Sequence, residues 1–411
     1  MQLRSYLLPL YAVATLFPRL LALPAPFGQV QLTELLFPLL LWAFRGELLT
    51  SCRRFPLLTW SVAAYVSANL LSAIRAGDAG TLLEGAARGY LGAVAMLTVT
   101  HIRCYGWESL EHWWRAATVA VATAALGYYL LITAGYLPPD RGVLLYQSYP
   151  YLGDVLRLRA TASTSGMWVM LLLPGALFAL HRYTLRSSKD IPWALLLITV
   201  AMVPSWSKEL LLLGAGGVLL YWPGRHRSMV VAGALVVVLL AGTHYLVVGP
   251  QYPDAPALQY RGQHTVERVA GYRVVETVYM PIKRIALRVG TAHPLLGVGP
   301  GNFFDHSQVS ARPGELPPGF GRFDPHSTWL GAFAETGIPG LLTLLLLVGV
   351  IWCSGPEGVL GPVGILLLLF LVASVFKDVA NFRGVWVLVG WWVGCRGTTR
   401  PSWGLSGRRW G

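Results

Sequence analysis

Residues 326–352 read HSTWLGAFAETGIPGLLTLLLLVGVIW, an apolar run that begins with a histidine and contains one acidic residue, Glu335. A run of this length can cross a bilayer as one α-helix. Ahead of it, residues 294–303 read PLLGVGPGNF, a glycine-rich loop. The pattern predicts a membrane helix with His326 at its mouth and a polar loop nearby, where chemistry at a membrane surface would take place.

The composition of the whole chain also indicates a membrane protein. Of the 411 residues, 55% are hydrophobic and 12% are charged, against roughly 25% charged in soluble domains. The net charge is +13, but the basic residues lie mostly in short loops between apolar runs. We interpret this charge as the lysine and arginine excess of cytoplasmic loops, and not as a nucleic-acid-binding surface.

Twelve apolar stretches are candidates for membrane spans. They lie near residues 6–23, 29–44, 56–74, 82–101, 114–136, 164–181, 190–205, 208–222, 228–248, 327–352, 358–375 and 380–395. Pro204 and Lys208 interrupt the run at 190–222, which could be one span or two. With a cytoplasmic N-terminus, the cytoplasmic loops and tail hold many more basic residues than the short external loops do. The sequence therefore predicts an all-α polytopic membrane protein of about 12 transmembrane helices.

A large external loop is predicted between the ninth and tenth helices. Within it, residues 264–290 have apolar positions at helical spacing with basic residues between them. This pattern predicts one or two amphipathic helices at the membrane surface. The chain divides into residues 1–248 with helices 1–9, residues 249–326 as the external loop with active-site elements, and residues 327–411 with helices 10–12 and a basic cytoplasmic tail.

Ionisable residues near the external face are candidates for chemistry, because a charge at membrane depth is costly. They are Lys208, Glu209, Glu335, Lys377 and Asp378. The lysines could instead extend from helix ends to the interface. His326 is a candidate base, because imidazole titrates near neutral pH, although a histidine at a helix start can also cap or pack.

Neither a nucleotide site nor a metal site is predicted. The glycine-rich loop could hold phosphate oxygens with backbone N–H groups, or it could be only a tight turn. It lacks the P-loop pattern, and the histidines and cysteines lack metal-site spacing. No cofactor is therefore expected. Basic groups beside one histidine suit a diphosphate leaving group, with the histidine taking a proton from an attacking hydroxyl.

These residues resemble the O-antigen ligase and O-antigen polymerase superfamily of bacterial envelope glycosyltransferases. The resemblance rests on PLLGVGPGNF at 294–303, on HSTWLGAFAETG at 326–337 and on the large external loop. It implies a glycan donor carried on undecaprenyl diphosphate and a metal-independent, inverting transfer to a hydroxyl acceptor such as lipid A–core. It also implies the bacterial inner membrane, with the site on the periplasmic side.

The resemblance assigns roles to individual residues. His326 matches the family's essential histidine, the general base. Arg273 matches a loop arginine that holds the diphosphate, with Arg284 and Arg288 as competitors. Lys208 occupies a position where the family has arginine. Lysine keeps the positive charge but cannot make the bidentate contacts of a guanidinium. The remaining positions are Arg159 and Asp378 as substrate contacts, and Gly297, Gly299 and Glu335 as structural residues.

Three functions remain open at this point. A ligase would move a completed glycan from the lipid carrier to an envelope acceptor, and a polymerase of the same superfamily would extend the glycan on the carrier. A polysaccharide transporter or flippase would make no bond and would show charges at mid-membrane. The expected partners are the lipid-linked glycan donor, a glycan or lipid A–core acceptor and the bilayer, with no nucleic acid.

Overall fold

The computed structural model describes most of the chain, and the described residues are mainly helical. They are residues 2–18, 23–25, 28–139, 143–149, 153–186, 193–221, 246–250, 265–269, 272–316, 323–356 and 361–396. The helices are α1 (Gln2–Ala14), α2 (Leu32–Arg54), α3 (Pro56–Ala76), α4 (Ala79–Tyr105), α5 (Glu108–Thr133), α6 (Ser165–Arg186), α7 (Trp193–Met202), α8 (Leu210–Tyr221), α9 (Tyr279–Ala292), α10 (Phe303–Ser310), α11 (Thr328–Cys353), α12 (Pro362–Ala373) and α13 (Arg383–Gly394).

Short strands connect some of these helices. They are β1 (Leu23–Ala25), β2 (Gly28–Val30), β3 (Leu144–Tyr149), β4 (Gly153–Leu158), β5 (Leu246–Pro250), β6 (Thr265–Val269) and β7 (Tyr272–Glu276). β1 pairs with β2, β3 pairs with β4, and the other three form a sheet in the order β5-β7-β6. All of these pairings are antiparallel.

Five described helices are long and apolar enough to cross a membrane: α2, α3, α5, α11 and the segment Ser165–Tyr183 of α6. Large apolar side chains on them face outward, among them Leu71, Leu130 and Leu346. Outward apolar surface of this kind suits lipid and not water, so these helices indicate a membrane protein. The count of twelve spans stays a prediction, and most of the stretch at 228–248 lies outside the described residues.

The apolar run at 190–222 forms two short helices, as one of the two interpretations predicts. α7 is followed by a 3-10 turn that contains Pro204, and Trp206 then takes a left-handed conformation with φ 49°. Proline cannot donate the hydrogen bond that would continue the helix. The break leaves Lys208 and Glu209 in the turn between α7 and α8.

The segment at 264–290, which the sequence predicts to be external, is only partly helical in its described residues. The prediction of a helix is confirmed for α9, which buries one face that includes Ile282, Ile285 and Val289. It is wrong for 265–276, where β6 and β7 form an antiparallel pair. Valine, threonine and tyrosine are frequent in that stretch, and such side chains fit a pleated sheet better than a helix.

The connections form two groups at the two ends of α4. At its start, Asn302 Nδ2 donates to Asp78 Oδ2 at 3.3 Å. At its other end, Arg103 donates to the carbonyl of Arg396 at 3.0 Å, and Arg396 donates to the carbonyl of Cys353 at 2.9 Å. These contacts join residues that are distant in sequence at each end of α4, and the alternation of external and cytoplasmic loops stays a prediction.

The glycine-rich loop is fixed to α11. The N–H of Val298 donates to the carbonyl of Ala334 at 3.0 Å, and the N–H of Gly299 donates to the carbonyl of Glu335 at 2.8 Å. Gly297 and Gly299 have φ angles of 64° and 103°, and a Cβ on Gly297 would overlap the backbone of Glu335. These N–H groups are therefore engaged in holding the loop, and not directed towards a phosphate.

The glycine-rich loop hydrogen-bonds α11 at a point where the helix backbone is interrupted. Gly337 has φ 69° and ψ −162°, outside the helical region. Carbonyl groups just before such a break lose their partners within the helix, and the loop N–H groups replace them. A hydrogen bond also runs from α11 to the loop: the N–H of Ile338 donates to the carbonyl of Pro294 at 2.7 Å.

Candidate functional site

His326 lies in a tight turn immediately before α11. Its φ of 46° is left-handed, which is uncommon for a residue other than glycine. The His326 N–H donates to Asp324 Oδ1 at 2.6 Å, which stabilises the turn. The helix cap is the next residue, Ser327, whose hydroxyl accepts from the N–H of Leu330. The alternative role of helix cap therefore does not apply to His326.

The first residues of α11 are bound to the connection between α12 and α13. The N–H of Thr328 donates to the carbonyl of Ser374 at 2.9 Å, and its hydroxyl accepts from the N–H of Val379 at 2.9 Å. Trp329 Nε1 donates to the hydroxyl of Ser374 at 2.8 Å. These contacts place the turn with His326 against residues that are distant in sequence.

Three lysines from three separate segments approach this turn. Lys283 of α9 donates its Nζ to the carbonyl of His326 at 2.7 Å. Lys208 Nζ lies 5.4 Å from the ring centroid of Tyr279, and the His326 ring lies 4.8 Å from the same ring. Lys377 is close enough to act electrostatically on the imidazole. We refer to Lys208, Lys283 and Lys377 as the lysine cluster.

A buried carboxylate pairs with one member of the lysine cluster, Lys377. Lys377 Nζ lies 2.6 Å from Glu209 Oε1, and Ser207 Oγ hydrogen-bonds the same carboxylate. Burial alone would raise the pKa of Glu209, but the charge and hydrogen bond of Lys377 bring it down to about 2. Glu209 is therefore ionised at neutral pH, and it balances one of the three lysines.

The pKa values of the other groups follow from burial and from one another. Burial lowers the pKa of Lys208 and that of Lys283 to about 8. Burial also lowers the pKa of His326; Asp324 opposes this shift, and the lysines add to it. At neutral pH the imidazole is thus uncharged and able to accept a proton, while both lysines remain mostly charged.

Asp324 is the acidic neighbour of the imidazole. Its Oδ1 lies 3.5 Å from His326 Nδ1. A carboxylate beside one ring nitrogen favours a proton on that nitrogen and leaves the other nitrogen as the acceptor. The Asp324 side chain is 56% exposed, so the turn is open to the surroundings.

Of the predicted diphosphate contacts, Lys208 lies near His326, since both side chains approach the ring of Tyr279. Arg273 lies in β7, where its backbone is paired opposite Arg268 of β6. The Arg273 side chain lies outside the described part of the structure. Its role stays a prediction.

The two competing arginines of α9 are engaged in ion pairs. Arg284 forms a two-pronged pair with Glu276, at 2.9 and 3.2 Å. Arg288 is paired with Glu315. The residue of α9 that reaches the histidine turn is Lys283, which the sequence does not single out as a site residue.

Lys283 is missed because a basic residue on an amphipathic helix is expected to face water. It is instead buried, between Ile282 and the apolar residues one turn further along. The available signal is its place at the edge of the apolar face, three residues before Ala286.

Asp378 and Glu335 line a separate polar cavity together with Arg88. Asp378 also stabilises the connection after α12, since its Oδ1 accepts from the hydroxyl of Thr328 at 3.2 Å and from the N–H of Ala380 at 3.0 Å. Arg88 was not predicted as a site residue, although an arginine inside an apolar run is a signal for function.

Arg159 follows β4 and donates its Nη1 to the carbonyl of Ser163 at 3.1 Å. Its neighbour Arg157 donates to the carbonyl of Ser205 at 2.8 Å, in the turn that precedes Lys208. Arg157 therefore contacts the turn that carries Lys208.

No protein-family model matches the sequence, and comparison with curated proteins gives no match either. The resemblance to the ligase and polymerase superfamily therefore depends on the two motifs and on the span pattern.

Proposed function

We propose that the protein is a membrane glycosyltransferase that moves a glycan from undecaprenyl diphosphate to a hydroxyl acceptor, in the manner of O-antigen ligases and polymerases. The observation that carries the proposal is the position of the His326 imidazole beside the lysine cluster. Lysines suit a diphosphate leaving group, because ion pairs with phosphate oxygens are among the stronger polar contacts. The imidazole suits proton removal from a hydroxyl.

In the proposed reaction, the acceptor hydroxyl attacks the anomeric carbon of the donor glycan and gives its proton to His326. The bond between that carbon and the diphosphate oxygen breaks, and its electron pair stays with the diphosphate. The lysine cluster stabilises the negative charge that develops there. One glycosidic bond replaces one glycosyl phosphate bond, with inversion at the anomeric carbon.

The proposed location is the external face of the bacterial inner membrane. Two arginines, Arg103 and Arg396, lie at the end of the bundle away from His326. Cytoplasmic ends of membrane helices are the ones enriched in arginine and lysine. This distribution supports a lysine cluster and a histidine turn on the periplasmic side.

The test is transfer by purified protein in nanodiscs, with an undecaprenyl-diphosphate glycan as donor and chelator present. We expect His326→Ala to lower kcat by about 100-fold or more, because general-base catalysis typically contributes that much. Donor binding should remain. The matched control is His306→Ala. His306 lies on α10, and its ring centroid is 6.1 Å from that of His293. We expect this variant to keep its transfer activity. Full activity of His326→Ala would refute the mechanism.

The same assay separates the two members of the superfamily. Transfer to lipid A–core identifies a ligase, whereas longer glycans on the lipid carrier identify a polymerase. Movement of intact donor across the bilayer, without any new glycosidic bond, would instead identify a flippase.

A further inference from the structure

A polar cavity of about 240 Å³ lies beside the histidine turn. Its walls come from α3, α4 and α10, from the first half of α11 and from the connection between α12 and α13. Water occupies about 30 Å³ per molecule, so the space is equivalent to roughly eight waters. That is room for a small ring compound, and too much for a single ion.

The walls of this cavity carry an unusual set of charges. Five carboxylates line it, and they are Glu84, Asp305, Asp324, Glu335 and Asp378. One basic residue, Arg88, faces them. We refer to this space as the acidic cavity. Its acidic side chains outnumber its basic one, so it would repel a phosphate group, unlike the lysine cluster.

Arg88 is the second feature that points to a ligand. The residue is only 7% exposed, and its Nη1 donates to the side chain of Asn381. As the basic residue on the wall of this cavity, it can donate to acceptor oxygens of a bound molecule.

The lining suits a polyhydroxylated ring. Sugar hydroxyls can donate to the carboxylates and accept from Arg88, while Tyr65 and Phe304 supply aromatic surface to the same cavity. A metal ion is a poorer fit, because no three His, Cys, Asp or Glu side chains in the described parts of the chain are placed to hold one. The cavity chemistry therefore favours a neutral or amino-bearing saccharide.

Asp324 connects this cavity with the proposed base. It lines the acidic cavity, and its Oδ1 is also 3.5 Å from His326 Nδ1. Asp324, Pro325 and Ser327 all line the cavity, so the cavity adjoins the turn that carries the imidazole. Lys283 contacts the same turn through the carbonyl of His326.

We propose that the acidic cavity binds the terminal sugar of the acceptor, as a neutral or amino-bearing ring without phosphate, and presents one hydroxyl to His326. This inference depends on the proposed glycosyl transfer and specifies its acceptor. The hydroxyl proton passes to His326, the oxygen bonds to the anomeric carbon of the donor, and the diphosphate leaves towards the lysine cluster. The two charged substrate regions are thereby kept apart.

The test compares acceptor and donor kinetics in the full-length protein. Glu84→Gln and Asp305→Asn each remove a charge from the wall and keep the shape of the side chain. We expect each to raise the acceptor KM about tenfold, because a hydrogen bond to a charged group is lost, and to leave the donor KM within about twofold. The control is Glu47→Gln, whose carboxylate pairs with Arg4 on helices away from the cavity.

A second measurement uses pairs of acceptor saccharides that differ only by a phosphate group on the terminal ring. The wild-type protein should prefer the member without phosphate by about tenfold, and Asp305→Asn should reduce that preference. Two outcomes would overturn the cavity assignment alone, provided that transfer still depends on His326. One is an unchanged acceptor KM in both Glu84→Gln and Asp305→Asn, and the other is a wild-type preference for the phosphorylated acceptor. Absence of transfer by the wild-type protein would overturn the proposed function and this inference together.

Discussion

The charge state of the lysine cluster predicts how activity depends on pH. Lys208 and Lys283 each have a pKa of about 8, because burial disfavours their charged forms. Both must be protonated to bind the diphosphate, so activity is lost as the pH rises through 8. His326 must be unprotonated to act as base, and its pKa is lowered, so activity on the acidic side is lost only below the usual imidazole range.

The size of the alkaline loss follows from these values. At pH 9 a group with pKa 8 is protonated in about a tenth of the molecules, so both lysines are charged in about one molecule in a hundred. At pH 7 both are charged in roughly 80%. The donor kcat/KM should therefore fall by roughly two orders of magnitude from pH 7 to pH 9, since this ratio reports the ionisation of the free enzyme.

Lys208→Arg isolates one of the two lysines. Arginine stays protonated throughout this range, so the variant should lose only about tenfold over the same interval. The assay is donor kcat/KM from pH 6 to pH 10 at saturating acceptor, expressed as the ratio of variant to wild type, in which ionisation of the donor itself cancels. An alkaline limb of equal steepness in both proteins would refute the assignment of this limb to Lys208.

Two further predictions test the frame of the site. Gly297→Ala should destabilise the protein by about 2 kcal/mol or more, because φ is positive and the new Cβ would overlap α11. The measurement is thermal unfolding in detergent. The control is Gly127→Ala in α5, where the space around the glycine is open. Lys283→Gln should weaken donor binding, whereas Arg284→Gln should change it by less than about twofold, because that arginine is paired with Glu276 at the surface. Equal losses of donor binding in Lys283→Gln and Arg284→Gln would contradict the assignment of Lys283 to the lysine cluster.

Composition and periodicity are sufficient to predict the membrane class and the helical start after His326, but they leave the break before Lys208 open. They fail at residues 265–276, where basic residues between apolar ones fit a helix and a strand equally well over so short a length. They also fail for Arg284, because its partner Glu276 is brought close only when β7 turns into α9. Local patterns thus locate charges along the chain, but the pairing of those charges depends on tertiary packing.

The same limit explains why Lys283 and Arg88 are recognised only in three dimensions. Each is a cation inside a mostly apolar pattern, and each becomes informative through what it faces: the carbonyl of His326 for one and a wall of carboxylates for the other. Between them lies a turn whose left-handed residue, His326, costs about 1–3 kcal/mol of backbone strain. Hydrogen bonds from Lys283 and to Asp324 hold that conformation. The backbone that carries the imidazole is therefore fixed before any substrate binds, which the proposed role as a preorganised base requires.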